Sequence, residues 1–205
     1  MKPACPFDAA PLEYILPDKL PTALGLQNAG IAASLASCRF LRAAVSRRVL
    51  SALPALPEEL PQARVLLFAE LTVKSPEELS ELCRVMTIMM NHKSILATTS
   101  GVVLREIASW CGDQALLLSL DKTRFPIFAS LQVLDTASCE LLALYEQKVR
   151  GLLFGVLPHA HRQRLELRLR QSDLCEPVAF APDDPDEAFF LRYLTLALEY
   201  CDAKA

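Results

Sequence analysis

An all-α fold, arranged as a single compact helical domain, is what this sequence predicts, on three observations. First, Ser75-Pro76-Glu77-Glu78 opens a stretch in which Leu79, Leu82, Cys83, Met86, Met89 and Met90 recur at helical spacing. Ser75 suits an N-cap, Pro76 the first helical position, and Glu78 can reach back to the cap. Second, only 6 glycines in 205 residues argue against an all-β protein with many tight turns. Third, the 14 prolines punctuate helices, mostly in the first third and after Leu157.

The elements follow in order. Residues 1–27 are proline-rich and read as an irregular N-terminal segment, with a short turn of helix as the alternative; residues 28–205 read as the helical domain. A first long helix is expected over 28–53, with Leu35, Cys38, Leu41, Val45, Val49 and Ala52 on one face and Arg39, Arg42, Arg47 and Arg48 on the solvated sides. The prolines of 54–61 end it. A second helix spans 62–73. Its run Val65-Leu66-Leu67-Phe68 is too continuous for a surface helix, and a buried strand is the alternative.

The stretch 75–112 organises the rest: two helices packed on each other, with Glu77, Glu81, Arg84 and Asn91 facing away and the second stripe at Val103, Leu104, Ile107, Ala108 and Cys111. Gly112 is the stop. Asp113 caps a short helix through Leu120, and residues 121–126 form a link. Asp135 caps a long helix to 157, with Leu142, Tyr145, Val149, Leu152, Leu153 and Val156 inward. Gly151 and Gly155, four apart, mark either one tight crossing or nothing. Residues 158–170 stay open: Leu165, Leu167 and Leu169 alternate as in one short strand near 164–170, while Pro158 suits a helix start. After a loop rich in proline and acid, Asp184-Pro185-Asp186-Glu187 repeats the helix-starting grammar. The last helix, with Phe190, Leu194, Ala197, Leu198 and Cys201 on one stripe and Arg192, Thr195, Glu199 and Asp202 as its polar edge, should be mostly enclosed.

Composition bounds the function. The net charge of −3 disfavours nucleic acid as a partner. No apolar run approaches the length of a membrane span and no signal peptide is evident, so the expectation is a cytoplasmic protein with no direct membrane insertion. The seven cysteines form no Cys-x-x-Cys pair and read as reduced, buried thiols. His159-Ala160-His161 lacks the i, i+4 spacing of a helical metal site and reads as surface histidine, while His92 suits a helix-end cap. No nucleophile elbow, phosphate loop or dinucleotide fingerprint is present. The expectation is therefore no enzyme, with no catalytic residue, cofactor or metal. A small helical enzyme with a cysteine-containing site and a helical transcription regulator are the alternatives.

Two charge clusters remain. Arg150, Arg162, Arg164, Arg168 and Arg170, with Lys148, concentrate positive charge; Asp183, Asp184 and Asp186, with Glu187, concentrate negative charge downstream. They are either solvated or internally paired surface, or a docking face for oppositely charged proteins.

The N-terminal stretch carries a resemblance. Pro11, Tyr14, Ile15, Pro17 and Leu20, after Phe7-Asp8, match by type and spacing the opening of the SctK family, the sorting-platform adaptors of bacterial type III secretion; Leu16 stands where that family has histidine. Leu104-Arg105-Glu106-Ile107 with Trp110 resembles the family's central helix. Gly151-Leu152-Leu153-Phe154, the Arg164-to-Leu169 alternation and Leu194-to-Tyr200 resemble its C-terminal third. The resemblance implies a mainly helical, non-enzymatic protein without cofactors. Its partners would be the cytoplasmic domain of the inner-membrane ring protein (SctD-type) and the pod protein (SctQ-type), which hold it peripherally at the inner face of the bacterial inner membrane. It makes Pro11, Tyr14, Ile15, Pro17 and Leu20 structural.

Overall fold

The computed structural model describes residues 5–57, 59–119, 134–181 and 183–204. Among them the chain is all-α, about 70% helical and without a strand. In order the helices are α1 (Pro6–Ala9), α2 (Pro11–Tyr14), α3 (Leu20–Leu24), α4 (Ala29–Ser37), α5 (Arg42–Ala52), α6 (Gln62–Leu71), α7 (Pro76–Met90), α8 (His92–Leu96), α9 (Gly101–Cys111), α10 (Asp113–Ser119), α11 (Cys139–Val156), α12 (His159–Glu166) and α13 (Pro185–Lys204), with a 3-10 turn at Gln171–Asp173. Two compact units divide it, at other places than the residue-27 boundary expected: residues up to 77 with 157–174, and 78–156 with those from 175 onward. Leu120 and the expected link at 121–126 lie outside the described residues.

In the first unit, the N-terminal segment is helical where irregular chain is expected. Pro6 and Pro11 each begin a helix and Pro21 sits in the first turn of α3, positions that need no backbone donor. Gly25 closes α3 in the left-handed region at φ 69°. The long helix expected over 28–53 is two helices. The chain turns extended at Cys38, so that α4 and α5 both lie on α3, burying Leu20, Leu24, Ala32, Val45 and Val49 together. Asn28 caps α4 through the Ile31 amide. The segment 62–71 is helix, not strand, and less buried than its apolar run suggests: Phe68, Ala69 and Leu71 are inside, while Leu66 is exposed.

In the second unit α7 carries the core. Every residue from Val85 to Met90 is buried, as are Leu79, Leu82 and Cys83. Ile88 meets Ile95, Ile107, Ala137 and Leu142, so the pairing of α7 with α9 holds. Asn91 is buried rather than facing away. Its side-chain N–H donates to the Thr87 carbonyl and its oxygen accepts from the Leu134 amide, at 2.9 and 3.1 Å. Both halves of the amide are satisfied, which lets a polar group lie inside. Gly112 ends α9 at φ 89°. The α11 helix starts three residues later than expected, at Cys139, where Ser138 rather than Asp135 caps it by accepting from the Leu141 amide.

The Gly151 and Gly155 pair does mark a close crossing. The Val178 amide donates to the Gly151 carbonyl at 2.9 Å, and a Cβ at Gly155 would overlap the Val178 carbonyl. In α13, Phe190, Leu194, Ala197 and Leu198 are buried while Arg192, Thr195 and Glu199 are exposed, the division its stripe implies.

Candidate functional site

Of the residues singled out in the sequence, Tyr14, Ile15, Arg164 and Arg168 meet at one seam in the first unit, where the N-terminal helices meet α12. On α12 the positions His161, Arg164, Leu165 and Arg168 stand at i, i+3, i+4 and i+7, one face of a helix and the turn that follows it. Leu165 is fully buried, so the whole face turns inward.

Arg164 is 3% exposed. Its Nε and Nη2 donate to the two carboxylate oxygens of Asp8 at 2.6 and 3.1 Å, and its Nη1 donates to the Pro54 and Ala160 carbonyls at 3.1 and 2.8 Å. This bidentate, four-bond arrangement is what makes a buried guanidinium tolerable. Arg168 lies over the Tyr14 ring, 4.7 Å from its centroid, and Tyr14 in turn stacks on Phe7 at 6.1 Å. The Leu16 amide donates to the Leu167 carbonyl at 3.0 Å. Beneath, Cys5, Phe7 and Ala69 form the apolar floor with Ile15 and Leu167 around them. The Cys5 thiol donates to Thr72 Oγ1, whose own hydroxyl proton goes to the Ala69 carbonyl.

His161 is 1% exposed, against the Phe68 ring at 5.7 Å, and neither ring nitrogen has a hydrogen-bond partner among the described residues. Burial, with the Arg164 charge beside it, lowers its pKa to about 4, so it is a neutral imidazole at neutral pH. His159, two residues back, is exposed and meets Gln163. Only His159 is the surface histidine expected, and the two rings do not converge.

The expected docking clusters therefore come apart. Arg164 and Asp186 are buried. Arg168 is taken up by Tyr14. Arg150, in the second unit, donates to Glu146 and Ser80 at 3.1 and 2.9 Å and is largely covered. Arg162 lies 3.8 Å from Glu166 on the helix surface. Arg170 and Asp183 remain exposed, and Asp184 is half-buried, accepting from the Asp186 amide at 3.0 Å. Internal pairing accounts for most of the basic cluster: Arg164 with Asp8, Arg150 with Glu146 and Arg162 with Glu166. Of the family-motif residues, Pro11 and Leu20 are buried, Tyr14 and Ile15 are partly buried in the seam, and Pro17 is exposed.

Two of the thiols are held as neutral sulfhydryls. Burial pushes Cys83 up to about 12 and Cys111 up to about 11, far from the thiolate needed for attack. No disulfide joins the cysteines and no group of three metal-ligating side chains occurs among the described residues. His92 fills the capping role expected of it, its Nδ1 donating to the Met89 carbonyl at 3.0 Å. No described helix is long and apolar enough to cross a membrane.

These features define the chain as an all-α protein with a buried ion-pair seam. Comparison with family models, with curated proteins and with solved structures found no match in any of the three.

Proposed function

We propose that the chain is a non-enzymatic adaptor of a bacterial type III secretion sorting platform. In this reading it links the cytoplasmic domain of an SctD-type ring protein to an SctQ-type pod protein. The observation that carries the reading is that two separated patches of the SctK resemblance meet. Tyr14, Ile15 and Leu16 of the N-terminal motif pack on Leu167 and Arg168 of the C-terminal alternation. Residues more than 140 positions apart thus form one structural unit, a reason for both patches to be kept together.

The contact surface is then drawn from the charges that stay outside, Arg170 and Asp183, with the half-buried Arg162 and Asp184. The test is co-purification of the full chain with the ring protein's cytoplasmic domain and with the pod protein of the same bacterium. Capture of both, singly and together, is the expected result; failure to capture either overturns the proposal. An Arg170→Glu variant should weaken one capture without lowering the melting temperature.

A further inference from the structure

The longest run of this chain without an acidic residue lies elsewhere. Between Asp18 and Glu58 there is no Asp or Glu, while Lys19, Arg39, Arg42, Arg47 and Arg48 all fall there. The stretch holds the corner between α4 and α5, and at its tip Phe40 is 87% exposed with Leu41 at 41%. Arg39 and Arg42 flank them and are exposed. The Arg39 guanidinium lies 5.7 Å from the Phe40 ring centroid. Arg42 is shared with Glu13 at 2.9 Å, both side chains more than half exposed, so that pair is open to competition by another anion. The side of α5 opposite Val45 and Val49 carries Ala43, Ala44, Arg47 and Ser51, all exposed. It is small, free of acid and carries one cation.

We propose that this corner is an interfacial anchor for a bilayer containing anionic phospholipid, with the arginines on lipid phosphates and Phe40 and Leu41 in the acyl boundary. The chemistry fits each part. Arginine pairs with phosphate through two parallel bonds. An apolar tip inside a basic collar is the composition of interfacial segments. The shape decides between a membrane and an acidic protein. A protein partner has to bring a pocket around a ring that projects almost wholly free, whereas a bilayer needs no matching shape. The small outer side of α5 lets headgroups approach along the helix. The contact is superficial and not a span, and it adds a direct lipid contact to the protein-mediated placement expected from the sequence. It stands or falls independently of the adaptor reading.

Co-sedimentation of the full chain with vesicles tests it, using phosphatidylcholine alone and with about 30% phosphatidylglycerol. Binding is expected only to the anionic vesicles, and weaker at high salt. Arg39→Gln and Arg47→Gln should each lower the partition coefficient about fivefold, and Phe40→Ser about tenfold. All three should melt with the wild type, because these side chains are exposed. In a Trp110→Phe background, Phe40→Trp should show blue-shifted emission when anionic vesicles are added. No sedimentation, binding indifferent to lipid charge, or variants that bind like the wild type would each overturn the proposal. So would a chain that ignores vesicles yet binds immobilised polyglutamate in a Phe40-dependent way, which would assign the corner to an acidic protein.

Discussion

Arg164 and Arg39 are the same residue type in opposite circumstances. Arg164 is buried with four hydrogen bonds, two to the Asp8 carboxylate and two to backbone carbonyls. Arg39 stands in solvent beside a projecting phenyl ring. The difference is not in local composition, since both lie on or beside short helices rich in arginine. It lies in whether the fold returns a carboxylate to that face. Asp8 reaches Arg164 from 156 positions away, and α5 itself carries no acid. A run of basic residues in a sequence therefore says little about where charge is offered; the face of the helix and its neighbours decide.

The largest effect that could break the comparison is truncation of the buried member. Arg164→Ala leaves Asp8 facing an emptied site and two carbonyls without their donor, and should cost about 3–5 kcal/mol in urea denaturation. The second effect comes from His161 on the same face. Its pKa when folded, about 4, lies below the ordinary histidine value of 6.5, so the unfolded chain binds the extra proton first. Stability from this group is whole above pH 6.5 and drains as the pH falls toward 4, by about 3 kcal/mol at most. His161→Phe should flatten that part of the pH profile. A smaller change belongs to the second unit. Gly155→Ala sets a methyl against the Val178 carbonyl, and should cost about 1–3 kcal/mol as the crossing strap is pushed off. The smallest effect is the exposed counterpart of the first: Arg47→Gln should shift stability by no more than about 0.5 kcal/mol.

Much of the fold was legible in the sequence. The apolar stripes of α7 and α13 and the polar edge of α13 declare themselves through a 3.6-residue period alone. Proline's double meaning was less legible. The prolines of the N-terminal segment read as breakers, yet Pro6 and Pro11 begin helices, because a missing donor costs nothing at a first turn. The alternation of Leu165, Leu167 and Leu169 looked like a strand because α12 ends at Glu166; one leucine belongs to the helix and two to the turn after it.

The seam itself was half visible. His161, Arg164 and Arg168 share a face with Leu165, and a leucine on a short helix between charged residues marks the inward side. That signal was present, and it would have placed the arginines inside. What it could not supply is the partner, since nothing local ties Asp8 to α12. Asn91 shows the same limit, because the Leu134 amide that makes it tolerable inside lies 43 positions on. The exposed corner at Phe40 was missed for a different reason: an unbroken helix over 28–53 would have laid that ring along its side, and only the turn at Cys38 makes it a tip.

The account rests on Arg164 and Asp8 acting on each other across the seam, and a double-mutant cycle measures that directly. Asp8→Ala, Arg164→Ala and the double variant, each unfolded in urea, should give a coupling of about 2 kcal/mol or more. A coupling below about 0.5 kcal/mol, with the two losses simply adding, would contradict it.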